Sequence, residues 1–151
     1  MRRKDREIAS RAEMEGILAR AEYGVLSLCG RWKPYGVAVN FGYSDNAIYI
    51  HCAPEGRKLG LIRGNPAAAF TAVGNTKMIR AEKACDWSSF YESVFIEGRA
   101  AIIDDNAGKA AGLNTIMRKY SGREYEFGAD DLSGIVIIRI DIDTMTAKCK
   151  K

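Results

Sequence analysis

Residues 34 to 52 read PYGVAVNFGYSDNAIYIHC, and this stretch decides the fold. Tyr35, Val37, Val39 and Phe41 recur at every second position, so their side chains share one face of an extended strand. Ser44-Asp45-Asn46 is a turn, and Ala47 to Cys52 runs back as a second strand. The pair reads as a β-hairpin, which sets an antiparallel sheet as the frame.

Working outward, Ser10-Arg11-Ala12-Glu13 is a capping box, in which serine and Glu13 can satisfy each other's free amides. Met14, Ile17, Leu18 and Ala21 then mark one apolar helix face. Tyr23 to Leu28 is a short strand. Arg57 to Arg63 is a short helix stopped at Asn65-Pro66, because a residue before proline resists helical geometry. Residues 67–73 and 77–81 read as two strands around Gly74-Asn75. Residues 93–103 form a long strand, bent or bulged at Gly98. Asp104-Asp105 opens a second long helix with Leu113, Ile116, Met117 and Tyr120 on its face and Gly122 as its cap. Ile135 to Ile142 is the last strand. Consecutive strands on short turns predict a mainly β, six- to seven-stranded antiparallel barrel with flanking helices, in one domain over residues 1–151.

Composition narrows the function. The chain has 151 residues, 47% of them hydrophobic and 28% charged, which is ordinary for a globular domain. No apolar run approaches the roughly 20 residues of a membrane helix, and no secretory signal stands at the N-terminus, so a cytoplasmic protein is expected. The net charge of +4 is spread along the chain, with local groups such as Arg2-Arg3-Lys4, and no basic stripe interleaved with aromatics suggests nucleic acid. Cys29, Cys52, Cys85 and Cys149 show no paired metal-ligand spacing, and the chain has a single histidine, so no metal site is expected. G-x-S-x-G, Rossmann and Walker patterns are absent.

Two stretches carry chemistry. Gly56-Arg57-Lys58 opens a helix, where free amides and two full charges suit a dianionic phosphate. The plainer reading is a basic pair on a surface helix. Residues 84–91, ACDWSSFY, are either a hydrophobic loop covering a barrel end or an aromatic wall with hydroxyls for a flat ligand. His51 stands open as proton donor, heme ligand, ring wall or ordinary strand-end residue. Cys52 stands open as a reactive thiol or a small buried hydrophobe.

MRRKDREI, KPYGVAVNFGY, IYIHCAPEGRKLGLIRGNP, EKACDWSSFYESVFIEGRA and IMRKYSG, in this order, resemble the pyridoxamine 5′-phosphate oxidase-like flavoproteins, and within them the nitroimidazole-resistance proteins. The resemblance implies a split β-barrel, a homodimer with flavin sites at the subunit interface, and FMN as cofactor, with FAD or heme as the other cofactors in view. It implies that Arg57 and Lys58, with Gly56, hold the phosphate. It implies that Val39, Asn40, His51, Cys52 and Ala53 line the ring and ribityl chain, and that the partner contributes Cys85, Trp87 and Ser88. The ending DIDTMTAKCKK lacks the Arg-x-His motif of vitamin B6 oxidation. The expected activity is therefore an FMN-dependent oxidoreductase acting on a small molecule, a nitroaromatic such as a 5-nitroimidazole, with His51 as the catalytic candidate. The alternatives are a flavin- or heme-binding storage protein without turnover and a plain structural barrel.

Overall fold

The computed structural model describes residues 4–30 and 33–150; Arg2 and Arg3 of the N-terminal basic group lie outside them. A 3₁₀ turn (Lys4–Arg6) leads to β1 (Glu7–Ile8) and α1 (Arg11–Arg20). β2 (Gly24–Cys29), β3 (Pro34–Val39), β4 (Gly42–Ser44) and β5 (Ala47–Cys52) follow, then α2 (Arg57–Gly64). β6 (Ala67–Ile79), a second 3₁₀ turn (Ala84–Asp86), β7 (Ser88–Ile103), α3 (Asn106–Ser121), α4 (Ala129–Ser133) and β8 (Val136–Lys150) complete the order.

Local chemistry sets the helix ends. The Ser10 side chain accepts the Glu13 amide at 3.4 Å and starts α1. The Asp105 carboxylate accepts the Gly108 amide at 2.8 Å and starts α3. Gly122, at φ +71, ends α3 in the left-handed conformation.

The sheet is antiparallel and eight-stranded, in the order β3-β2-β6-β7-β8-β5-β4, with β1 added on β8. The expected hairpin is corrected here. Residues 34–43 do not form one strand: β3 pairs with β2, and only the short β4 pairs with β5. Residues 67–81 are also not two strands, because β6 runs through Gly74-Asn75 with a register shift between Val73 and Thr76. Pairing along β7 holds the chain extended, and the Asn75 amide is satisfied by Glu92 Oε1 at 3.0 Å. The expected irregularity at Gly98 is present. The β7/β8 register slips between Glu97 and Gly98, and a Cβ there would lie 2.1 Å from the Asp141 carbonyl oxygen.

Division of residues 34–43 closes the barrel. β3 and β4 are opposite ends of the bonded path, yet only Asn40 and Phe41 separate them in the chain. Val39 and Gly42 can then stand no more than about 11 Å apart. The sheet must curl until its edges meet. Tyr120 on α3 secures this joint: its hydroxyl accepts the Phe41 amide at 3.2 Å and donates to the Glu22 carbonyl at 2.7 Å.

The barrel interior holds Leu26, Ile48, Ile50, Phe70, Ile96, Ile138 and Ile140, all fully buried, with Leu18 of α1 and Leu59 of α2 closing onto the same cluster. A second apolar layer lies outside the sheet. There α3 packs so closely that a Cβ on Gly112 would meet Ile137 Cγ2 at 2.8 Å.

Lys119 is an energetic exception. Its ammonium is buried without a hydrogen-bond partner among the described residues and lies 3.2 Å from the Phe41 ring centroid. Burial lowers its pKa from 10.5 to about 8. The folded state therefore binds fewer protons than the unfolded chain between about pH 8 and 10.5. Stability should rise with pH through that window and carry the full burial penalty below it. Lys119→Met is expected to raise stability at pH 7 by about 1 kcal/mol, the shift being discounted for partial exposure, and to abolish that rise. Urea midpoints measured from pH 6.5 to 10 check both parts.

Candidate functional site

β5 ends at Cys52, and alternation sends its last two side chains to opposite faces. His51 is exposed on the outer face, in a row with Ile137 of β8 and Ile103 of β7. Cys52 is buried in the barrel core. Burial pushes the Cys52 thiol above its ordinary value, and the nearby Lys58 charge offsets this only in part. Its side chain is thus a protonated packing group inside the barrel.

Beyond β5, Ala53, Pro54 and Glu55 are exposed, and the chain turns at Gly56. Gly56 has φ +123, a conformation that side-chain-bearing residues rarely adopt, and nothing lies within 4 Å of where a Cβ would be. The α2 terminus therefore faces open space. It has no side-chain cap and no acidic residue in its first turn. Among the described residues, no carboxylate pairs with Arg57 or Lys58, although Glu55 is a neighbour in sequence. Instead the Arg57 guanidinium sits over the Tyr35 ring, 5.1 Å from its centroid. This contact ties α2 to β3. Val39 is half-buried at the end of β3, and exposed Asn40 reaches the Glu22 carbonyl through Nδ2 at 3.5 Å.

The second group sits on the connection from β6 to β7. Cys85 is exposed, with its thiol 3.7 Å from Asp86 Oδ1. Trp87 is 50% exposed, yet its indole Nε1 donates to the Ala81 carbonyl at 2.7 Å, so an accessible ring is held in one place. Ser88 Oγ accepts from Lys150 Nζ.

The two groups do not meet within one chain. His51 lies in the row of Ile103 at one end of β7, while Ser88 is at the other end of that 16-residue strand. At the usual rise this is about 50 Å of extended backbone, before curvature. Tyr35 was read from the sequence only as part of a strand face. Its contact with Arg57 depends on how β3 meets α2, and no local signal carries that.

Comparison with known proteins agrees with this architecture. Residues 10–149 match the family model described as pyridoxamine 5′-phosphate oxidase. A crystal structure of a candidate 5-nitroimidazole antibiotic resistance protein from Bacteroides thetaiotaomicron is 26% identical, with a TM-score of 0.83, covering 95% of this chain and 86% of that one. An FAD- and heme-binding protein from Mycobacterium smegmatis, at 16% identity and a TM-score of 0.84 over 97% of this chain and 74% of its own, shares the fold. An uncharacterized protein of Rhizobium meliloti is 32% identical over 59 residues, a match that spans 39% of this chain and 38% of the relative.

Proposed function

Because this chain belongs to the pyridoxamine 5′-phosphate oxidase family, we propose that it is an FMN-dependent oxidoreductase that reduces small oxidised organic molecules, nitroaromatics such as 5-nitroimidazoles among them. The observation that carries this reading is the Gly56-Arg57-Lys58 corner. It offers an open, uncapped helix start and two cations without carboxylate partners among the described residues. A phosphate monoester carries close to two negative charges at neutral pH and fits such a corner better than a carboxylate.

The ring and ribityl chain would extend from this corner along Ala53 and His51, with Val39 and Asn40 on the facing β3 end. Cys85, Trp87 and Ser88 would come from a second copy of the chain, which is why a homodimer belongs to the reading. Their position at the far end of β7 supports this. So does an outward apolar strip, in which Val25, Val73 and Phe95 are exposed on neighbouring strands. All four cysteines are free, which supports a reducing compartment such as the cytoplasm. Among the described residues, no helix is long and apolar enough to cross a membrane.

A bound flavin supplies the electron transfer. The protein's part is to anchor the phosphate, to hold the exposed Trp87 ring against a flat ligand, and to deliver protons, which nitro reduction consumes with electrons. His51, exposed at the end of β5, is the residue we assign to that delivery. His51→Gln is expected to slow substrate-driven flavin reoxidation by about 10²-fold, at the low end for general acids because water can reach the same exposed position, a larger effect than any change in FMN affinity. Stopped-flow reoxidation of wild type and variant checks this.

The function itself is tested by loading the purified protein with FMN, reducing it anaerobically and adding a 5-nitroimidazole. Faster flavin reoxidation than in free FMN is expected. Equal rates would leave a flavin-binding protein without this turnover.

A further inference from the structure

We infer that Tyr35 is a positioning residue for the anion corner: its ring holds the Arg57 guanidinium so that the N–H edge stays free for a phosphate. The inference rests on Arg57 being the phosphate anchor. Tyr35 is well fixed. Its backbone is paired with Leu28 of β2, and its half-buried ring packs against the barrel core. Arg57, by contrast, is exposed at the first position of α2, where an arginine with no carboxylate partner among the described residues would ordinarily sample many rotamers. The guanidinium carbon lies 5.1 Å from the Tyr35 ring centroid. A cation held over a ring face is attracted without giving up a hydrogen bond, so the guanidinium's N–H donors remain available to two phosphate oxygens. A side chain already ordered over the ring loses less conformational freedom when the anion binds. Tyr35 would therefore sharpen selection of a phosphorylated flavin over its unphosphorylated form without touching the ligand.

The experiment compares FMN and riboflavin affinities, by flavin fluorescence quenching, in wild type, Tyr35→Leu, Tyr35→Phe, Arg57→Ala and the Tyr35→Leu/Arg57→Ala double variant. Circular dichroism establishes that each is folded. Tyr35→Leu is expected to weaken FMN binding about two- to fivefold, the range of an exposed cation–π contact, and to leave riboflavin binding unchanged. Tyr35→Phe, which keeps the ring, restores the wild-type ratio. In the Arg57→Ala background, Tyr35→Leu has no further effect on FMN. Equal weakening of both flavins by Tyr35→Leu, or an undiminished effect in the Arg57→Ala background, overturns the positioning role while the phosphate anchor stands. If Arg57→Ala alone leaves the FMN-to-riboflavin ratio unchanged, the anchor itself is wrong and the inference falls with it.

Discussion

Replacing Arg57 and Lys58 together with alanine is expected to weaken FMN binding by about 10²–10³-fold while changing riboflavin binding little. A hydrogen bond to a charged group contributes about 1.5–3 kcal/mol. Two such groups on an exposed corner give about 3–4 kcal/mol after screening, and each 1.4 kcal/mol is tenfold in affinity. The substitution should cost the fold little beyond the Arg57–Tyr35 contact, about 0.5–1 kcal/mol for an exposed cation–π pair. Neither residue has an ion-pair partner among those described, and α2 is held by Leu59 and Ile62, which are buried on the barrel core. Fluorescence titration with FMN and riboflavin gives the ratio, and thermal unfolding of the apoprotein gives the control. If the double variant binds FMN as tightly as wild type, the phosphate lies elsewhere and the proposed function loses the observation that carries it.

Phe70→Ala should be the most damaging single truncation in the barrel. Phe70 is fully buried on β6, between β2 and β7, and its ring meets Phe41 edge-on with centroids 4.8 Å apart and planes at 65°. It also lies directly over Gly24, where an added Cβ would come within 2.1 Å of the ring. Removing such a side chain loses its transfer free energy and leaves a cavity, together about 3–5 kcal/mol. The cavity would open beside Phe41, in the link that brings the barrel edges together, so the surroundings have little freedom to collapse. Urea denaturation should show a lower midpoint. A loss below about 1 kcal/mol would mean that the ring is not packed as described.

Much of this molecule was legible along the chain because the signals are local. Alternation in Tyr35, Val37 and Val39 reports two faces of a strand, and those three are half-buried while Gly36, Ala38 and Asn40 are exposed. Ser10 and Gly122 mark helix ends through hydrogen bonds and backbone conformations that involve only near neighbours. Gly56-Arg57-Lys58 stood out because charge and backbone freedom coincide at one helix start. In the structure nothing lies within 4 Å of where a Gly56 Cβ would be.

Strand partners were a different matter. Every extended segment offers the same amides and carbonyls to its neighbour, so a side-chain pattern cannot say which strand it will pair with. Residues 34–43 looked like one arm of a hairpin, yet they divide between two edges of the sheet, each part pairing with a different strand and Phe41 buried in the link between them. Gly74-Asn75 looked like a turn, and pairing along β7 overrode it. The contact of Tyr35 with Arg57, the choice of Cys52 rather than His51 as the side chain facing the core, and the distance from His51 to the Trp87 loop all follow from that long-range arrangement. Composition and spacing determined the kinds of element and the chemistry of the corner. Which groups stand together was decided by long-range pairing, whose energy comes from burying side chains far apart in the chain.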